Sequence, residues 1–334
     1  MAKSDIEMNM LRERAMPLPS VTEEMFLSCN QHNVELVKEY LETSNTLSKE
    51  TLKQYKSGMY QFTYYLKENL MDKPFYNVTK RDFKRYMSYL VSRGMSSSAL
   101  KFKKSAVSAF CSKFIEIFIV EDVKEYATFR NFTTGTIDLP KNQVYNKIPI
   151  TKEEYDLLIE TLLGDKNYLA MCWVAVMWNC GCRRSESIQF KSEIVGYDRK
   201  DKPYVLSHLV RGKGKSEDGK PIKYMIPNEA LKYIELWLSN RGYEHEYIFT
   251  VKHNGEICKM GKGWANELCT NVLSDIVGRR INVHLFKSSC VTYMLEQGKS
   301  MKTVSKYIAH HESTETTSLY DLRNDDEERE GLFD

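Results

Sequence analysis

Apolar side chains recur at intervals of three and four through residues 31 to 120, a spacing that turns one face of an α-helix toward a core and suits little else. In TLKQYKSGMYQFTYYLKEN, Leu52, Tyr55, Met59, Phe62 and Leu66 form such a stripe. TKRDFKRYMSYLVSRG opens on Thr79, a helix-capping residue type, and closes on Gly94. SSALKFKKSAVSAFCSKFIEIF is a third helical stretch, with Lys101, Lys103 and Lys104 near its start. Short polar connections between these stretches predict a small helical bundle over 31–135. Residues 1–30, with Pro17 and Pro19 as breakers, read as an N-terminal arm or loosely attached extension.

The periodicity lapses at 136–149, where Pro140 and Pro149 mark an interdomain linker. Thr151 and Glu154 then have the spacing of a capping box. NYLAMCWVAVMWNC is apolar nearly all round, so it predicts a buried helix ended by Gly181, too short to cross a bilayer. KPYVLSHLV and PIKYMIP, on either side of the turn-rich RGKGKSEDGK, predict a small antiparallel sheet. Helices are expected again at about 228–240, 263–279, 284–297, 300–309 and 313–320. The fold class expected is mainly α: a helical N-terminal domain followed by a mostly helical α/β domain over 150–320. An acidic tail, 321–334, completes the chain.

Composition narrows the function. The 334 residues are 42% hydrophobic and 28% charged, as in a soluble two-domain protein. No apolar run reaches membrane-spanning length, and MAKSDIEMNM lacks the apolar stretch of a secretory signal. None of the eight cysteines (29, 111, 172, 180, 182, 258, 269 and 290) forms a CxxC pair, which fits a reducing, cytoplasmic setting. Net charge is +3, yet the last fourteen residues carry seven acids and two bases, so the preceding 320 carry +8. That body permits a polyanionic partner.

Four separated stretches hold groups that bind or attack a phosphate: GCRRSE, RGKGKS, HLFKSS and HHESTETTSLY. His284 and Lys287 are one helical turn apart and share a face. Singly, each stretch also fits a solvated turn or helix start. The glycines of RGKGKS do not match GxxxxGK[ST]. His310 and His311 diverge by about 100° if helical, and no carboxylate or cysteine set has metal-ligand spacing, so no metal or nucleotide cofactor is expected.

Taken in order, the four stretches resemble the tyrosine recombinase, or phage integrase, family. GCRRSE is similar to its G-L-R-x-S-E, placing the first arginine at Arg183 and an acidic partner at Glu186. RGKGKS resembles its lysine hairpin, at Lys213, with Lys215 beside it. HLFKSS resembles H-x-L-R-H-T, with the histidine at His284 and Lys287 where the family has arginine. IAHHESTETTSLY resembles L-G-H-S-S-x-x-T-T-x-x-Y; nine residues before Tyr320 is His311, and His310 takes the glycine position. The likeness runs from about 31 to 320.

The resemblance implies DNA strand transfer without hydrolysis. Tyr320 would attack a backbone phosphate and expel a 5′-hydroxyl. Arg183 and Lys287 would hold the non-bridging oxygens, and His311 the phosphate or the tyrosine. His284 would assist proton transfer, Lys213 would protonate the leaving oxygen, and Glu186 would orient its neighbours. Lysine keeps the charge of the family's arginine and loses its planar fork. The implied partners are double-stranded DNA with specific sites, three further protomers around a Holliday junction, and accessory directionality factors. Lys53, Lys56, Lys84, Arg85, Lys101, Lys103, Lys104 and Lys215 would grip phosphates. A mobile-element integrase is expected first. An Xer-like resolvase, a type IB topoisomerase and a weakened DNA-binding protein stand as alternatives.

Overall fold

The computed structural model describes residues 18–135, 147–214 and 219–323, and the chain divides into two compact units at Asn146/Lys147. The first unit is helical: α1 (Glu23–Leu27), α2 (Gln31–Thr43), α3 (Lys49–Asn69), α4 (Lys80–Ser92) and α5 (Ser97–Phe110). The chain continues from α5 into a widened turn, Cys111–Ile119, in which Val120 N donates five residues back to Ile115 O. Side chains start the helices, at Thr79 as the sequence predicts and at two serines it did not single out. Thr79 and Asp82 form a reciprocal capping box on α4, and Ser48 and Ser96 cap α3 and α5.

The stripe on α3 buries Met59, Phe62 and Leu66 in an aromatic core, where Phe62 meets Phe75, Phe83, Tyr86 and Phe132 at centroid distances of 4.9–6.1 Å. Full burial of each such side chain contributes about 1.5–3 kcal/mol. Gly58 lets α3 and α5 approach, since a Cβ there would lie 2.9 Å from Ala106 Cβ. One expectation is corrected: the arm does not extend to residue 30. Phe26 on α1 is fully buried and stacks on Tyr60 at 3.8 Å, and Glu23 accepts from the Tyr60 hydroxyl at 2.9 Å. Residues 18–30 therefore belong to the bundle. Residues 1–17, and 136–146 of the expected linker, lie outside the described residues.

The second unit is built around α7 (Tyr168–Cys180), whose residues from Ala170 to Trp178 are all buried. Packed on it are α6 (Lys152–Gly164), α9 (Asn228–Asn240) and α12 (Val283–Glu296). The short α8 (Arg184–Ser187), α10 (Trp264–Leu268), α11 (Ser274–Val277), α13 (Met301–Val304) and α14 (Thr314–Ser318) fill the connections. Arg279 ties the entry of the unit down, donating to Glu154 Oε1 and Oε2 at 2.7 and 2.6 Å and to the carbonyls of Ile148 and Pro149 at 3.3 and 2.8 Å.

Among the described residues the strands form three antiparallel pairs. β1 (Tyr204–Leu206) pairs with β4 (Met225–Pro227), and β2 (Val210–Gly212) with β3 (Lys220–Ile222) inside it. The two pairs are joined by Ser207, whose N donates to Tyr224 O and whose Oγ accepts from Tyr224 N. β5 (Thr250–His253) and β6 (Glu256–Lys259) make a further hairpin that the sequence reading left out. Its signal is the Asn254–Gly255 pair, both with positive φ, the chemistry of a two-residue hairpin turn. Among the described residues no helix is long and apolar enough to cross a membrane.

Candidate active site

Gly181 closes α7 in the left-handed region, with φ 57°, and turns the chain so that Arg183 stands at the start of α8. Glu186, fully buried one turn on, fixes it. Glu186 accepts from the Arg183 backbone N at 2.6 Å, from Arg183 Nη1 at 3.0 Å and from the Tyr224 hydroxyl at 2.6 Å. Burial works against the carboxylate charge. These donors, with Arg183 and Lys287 nearby, outweigh it and hold Glu186 below the usual carboxylate range.

α12 supplies the next pair. Asn282 caps it by accepting from Leu285 N at 3.1 Å, so His284 lies in its first turn and Lys287 one turn on. His284 is exposed at the rim, while Lys287 is 1% exposed. The ammonium for which the resemblance implies a phosphate contact instead donates to the carbonyl of Ala309 at 2.8 Å. Burial, reinforced by the Arg183 charge and opposed by Glu186, lowers Lys287 to about 8. Desolvation and then the charges of Lys147, Lys287, Arg183 and Lys213 lower His284 as well.

The carbonyl held by Lys287 precedes a sharp turn. α13 widens at Ser305–Ala309, His310 takes φ 53°, and His311 N donates back to Ser305 O at 3.0 Å. The His310 ring meets the Tyr224 ring edge to face at 4.7 Å. His311 Nδ1 is 3.0 Å from Thr317 Oγ1 on α14, and its buried Nε2 has no hydrogen-bond partner among the described residues. Desolvation, then the Lys287 charge, lowers both histidines to about 4.

Tyr320 follows α14, its N donating to Thr317 O at 2.8 Å. Thr292 of α12 holds it from behind, donating to Tyr320 O at 3.2 Å and accepting from Leu322 N at 3.0 Å. The ring centre lies 4.9 Å from that of His311 and 5.4 Å from that of His284. The ammonium groups of Lys147 and Lys287 are 5.8 and 6.0 Å from it.

Tyr320, His284, His311 and Lys287 thus share one pocket, and Arg183 adds its charge to the field at both histidines. Lys213 is exposed at the end of β2, near enough to add to the field at His284. Lys215 lies outside the described residues. On the first unit, Lys53, Lys84, Arg85 and Lys101 are exposed, with Arg85 3.9 Å from Asp82. Lys56 pairs with Glu23 at 3.1 Å. Lys103 and Lys104 are half-buried, and desolvation lowers Lys103 to about 8. Sequence reasoning missed Tyr224, Thr292 and Lys147. The alternation in PIKYMIP marks Tyr224 as inward-facing; nothing in the sequence marks the other two. Among the described residues no group of three or more His, Cys, Asp or Glu could hold a metal ion.

The chain as a whole is similar to known proteins. The model of the phage integrase family matches residues 149–327, and that of the phage integrase N-terminal SAM-like domain matches residues 34–137. The SPbeta prophage-derived recombinase-like protein YomM of Bacillus subtilis (strain 168) is 47% identical over 331 residues, 98% of either chain. Tyrosine recombinase XerC of Staphylococcus carnosus (strain TM300) is 26% identical over 278 residues, 81% of this chain and 86% of that one. Among solved structures, the Tn1549 transposon integrase in complex with transposon right end DNA aligns with TM-score 0.65 at 16% identity, over 89% of this chain and 97% of that one. A lambda integrase tetramer bound to a Holliday junction aligns with TM-score 0.59 at 14% identity, over 93% and 80%. At these identities the structural likeness is one of fold.

Proposed function

The chain belongs to the phage integrase family, whose members are DNA strand-transferring tyrosine recombinases, and from that premise we propose that it integrates or excises a mobile element through a covalent bond between DNA and Tyr320. The observation that carries this reading is the tyrosine ring within 6.0 Å of two histidine rings and two lysine ammonium groups, next to an arginine locked by a buried carboxylate. A free phenol is a poor nucleophile at neutral pH, so such a site must take its proton and stabilise charge on phosphorus.

Tyr320 Oη attacks the scissile phosphorus, the bond to the 5′-oxygen breaks, and a 3′-phosphotyrosine remains. Lys213 protonates the departing 5′-oxygen, and His284 assists the transfer of the tyrosine proton. Arg183, held by Glu186, presents its guanidinium to the non-bridging oxygens. His311 is neutral at pH 7; Nδ1 accepting from Thr317 leaves Nε2–H to donate to the phosphate. Lys287 holds the turn that carries His311 and adds its charge from beneath. Preorganised charge of this kind supplies most of the acceleration. A 5′-hydroxyl from a partner strand reverses the step, so no outside energy is consumed.

The prophage origin of the 47%-identical relative supports a mobile-element role over dimer resolution, for which the XerC relative at 26% would argue. The lambda integrase tetramer on a Holliday junction supports four protomers acting together here. The exposed bases of the first unit are proposed as phosphate contacts, accessory factors as regulators of direction, and the cytoplasm as the setting. A nicked suicide duplex built from the DNA flanking the gene tests the chemistry. The native chain should trap a covalent adduct, and Tyr320→Phe should bind equally and trap none. Adduct formation by the phenylalanine variant would overturn the assignment.

A further inference from the structure

Two ammonium groups lie at nearly equal distance from the centre of the Tyr320 ring, and their surroundings differ. Lys287 is 1% exposed and donates to Ala309 O, so its charge serves the protein's own turn. Lys147 is exposed, on a flexible stem, 5.8 Å from the ring centre. The backbone that follows it is fastened. Ile148 O and Pro149 O accept from Arg279, and Ile150 N donates at 2.7 Å to Ser289 Oγ on α12. The helix that presents His284 thus also anchors the segment that presents Lys147. A lysine placed this way combines a fixed base with a mobile, solvated donor, which suits an anion that arrives from solvent.

A phosphate attacked by Tyr320 must come against its hydroxyl, within the field of that donor. Two carbonyls and one amide secure the three residues after Lys147, and no acidic partner pairs with Lys147 among the described residues. We propose that Lys147 is a catalytic phosphate ligand, its ammonium donating to a non-bridging oxygen of the scissile phosphodiester beside Tyr320, the charge that Lys287 directs inward being supplied to the substrate from the entry segment of the second unit. This rests on the strand-transfer reading above.

Two measurements on the full chain test it, both with duplexes whose scissile phosphate is either natural or a neutral methylphosphonate. The first is equilibrium binding in the Tyr320→Phe background, where no chemistry is needed. Neutralising the phosphate should weaken binding about fivefold more when Lys147 is present than in Lys147→Ala, because a charge-assisted hydrogen bond is lost only in the former. The second is single-turnover cleavage with Tyr320 intact. Lys147→Ala should be slower by on the order of 10²-fold on the natural phosphate, Lys147→Arg should recover most of that, and the deficit should vanish on the methylphosphonate. Equal weakening of both chains in the binding cycle would overturn the assignment. So would a cleavage deficit of the same size on both substrates, which would make Lys147 a support of the tyrosine ring. A native chain that shows the binding difference yet forms no adduct would uphold the ligand and remove the reaction.

Discussion

A lysine with its ammonium on the Ala309 carbonyl, buried beside an arginine, is held against its own desolvation, and that is why its pKa falls to about 8. The same field acts on the histidines. His310 faces Lys287, Glu186, Lys220 and Arg183; His311 faces Lys287, Arg183, His310 and Glu186. Both are lowered from 6.5 to about 4, so at neutral pH the positive charge of the pocket resides on arginine and lysine. The unfolded chain takes up these protons first as pH falls. The stability these two histidines contribute by staying neutral is therefore complete above about 6.5 and is lost progressively toward 4. Urea midpoints measured from pH 7.5 to 4 should drop across that interval, and a His310→Gln, His311→Gln variant should show a shallower drop. A native profile flat from 6.5 to 4.5 would contradict the lowered histidines.

At the scale of elements, the site depends on how one helix ends. Gly181 turns α7 with φ 57°, and a Cβ there would lie 3.0 Å from Ile308 Cγ2 and 3.1 Å from Cys290 Sγ. Gly181→Ala should cost about 1–3 kcal/mol, from the left-handed backbone and the crowding together. Because Arg183 is two residues on, cleavage should fall more than DNA binding. Thermal melting beside single-turnover cleavage checks both, and an unchanged melt would remove the steric argument. That helix end was legible, since a buried apolar helix running into glycine has one reading. The Thr151–Glu154 box and the shared face of His284 and Lys287 were legible for the same reason: local spacing sets them. The direction of the Lys287 ammonium was not, because it depends on a carbonyl 22 residues away. Lys147 was not, because a lone lysine two residues before a proline looks like any solvated charge. The β5–β6 hairpin is written only in Asn254–Gly255, because its strands, TVKH and EICK, lack the inward–outward alternation that marks a half-buried strand.

For the molecule as a whole, each unit carries its own core. One gathers the aromatics around Phe62; the other gathers α6, α7, α9 and α12. The residues gathered around Tyr320 all belong to the second unit, and Thr292, on the helix that bears His284 and Lys287, fastens the chain there through Tyr320 O and Leu322 N. Such tethering bears on inheritance. A nucleophile bound into its own chain cannot be lent to a neighbour, so two broken copies should not mend each other. Mixed at equal amounts on one DNA, Tyr320→Phe and Arg183→Ala chains should yield no more adduct than the sum of the two assayed apart. Robust recovery in the mixture would mean that the tyrosine crosses between subunits. If recovery is absent, an inactive allele expressed beside the native gene would spoil every assembly it enters, so with four protomers acting together native assemblies would fall more steeply than the native share, and the defect would be genetically dominant.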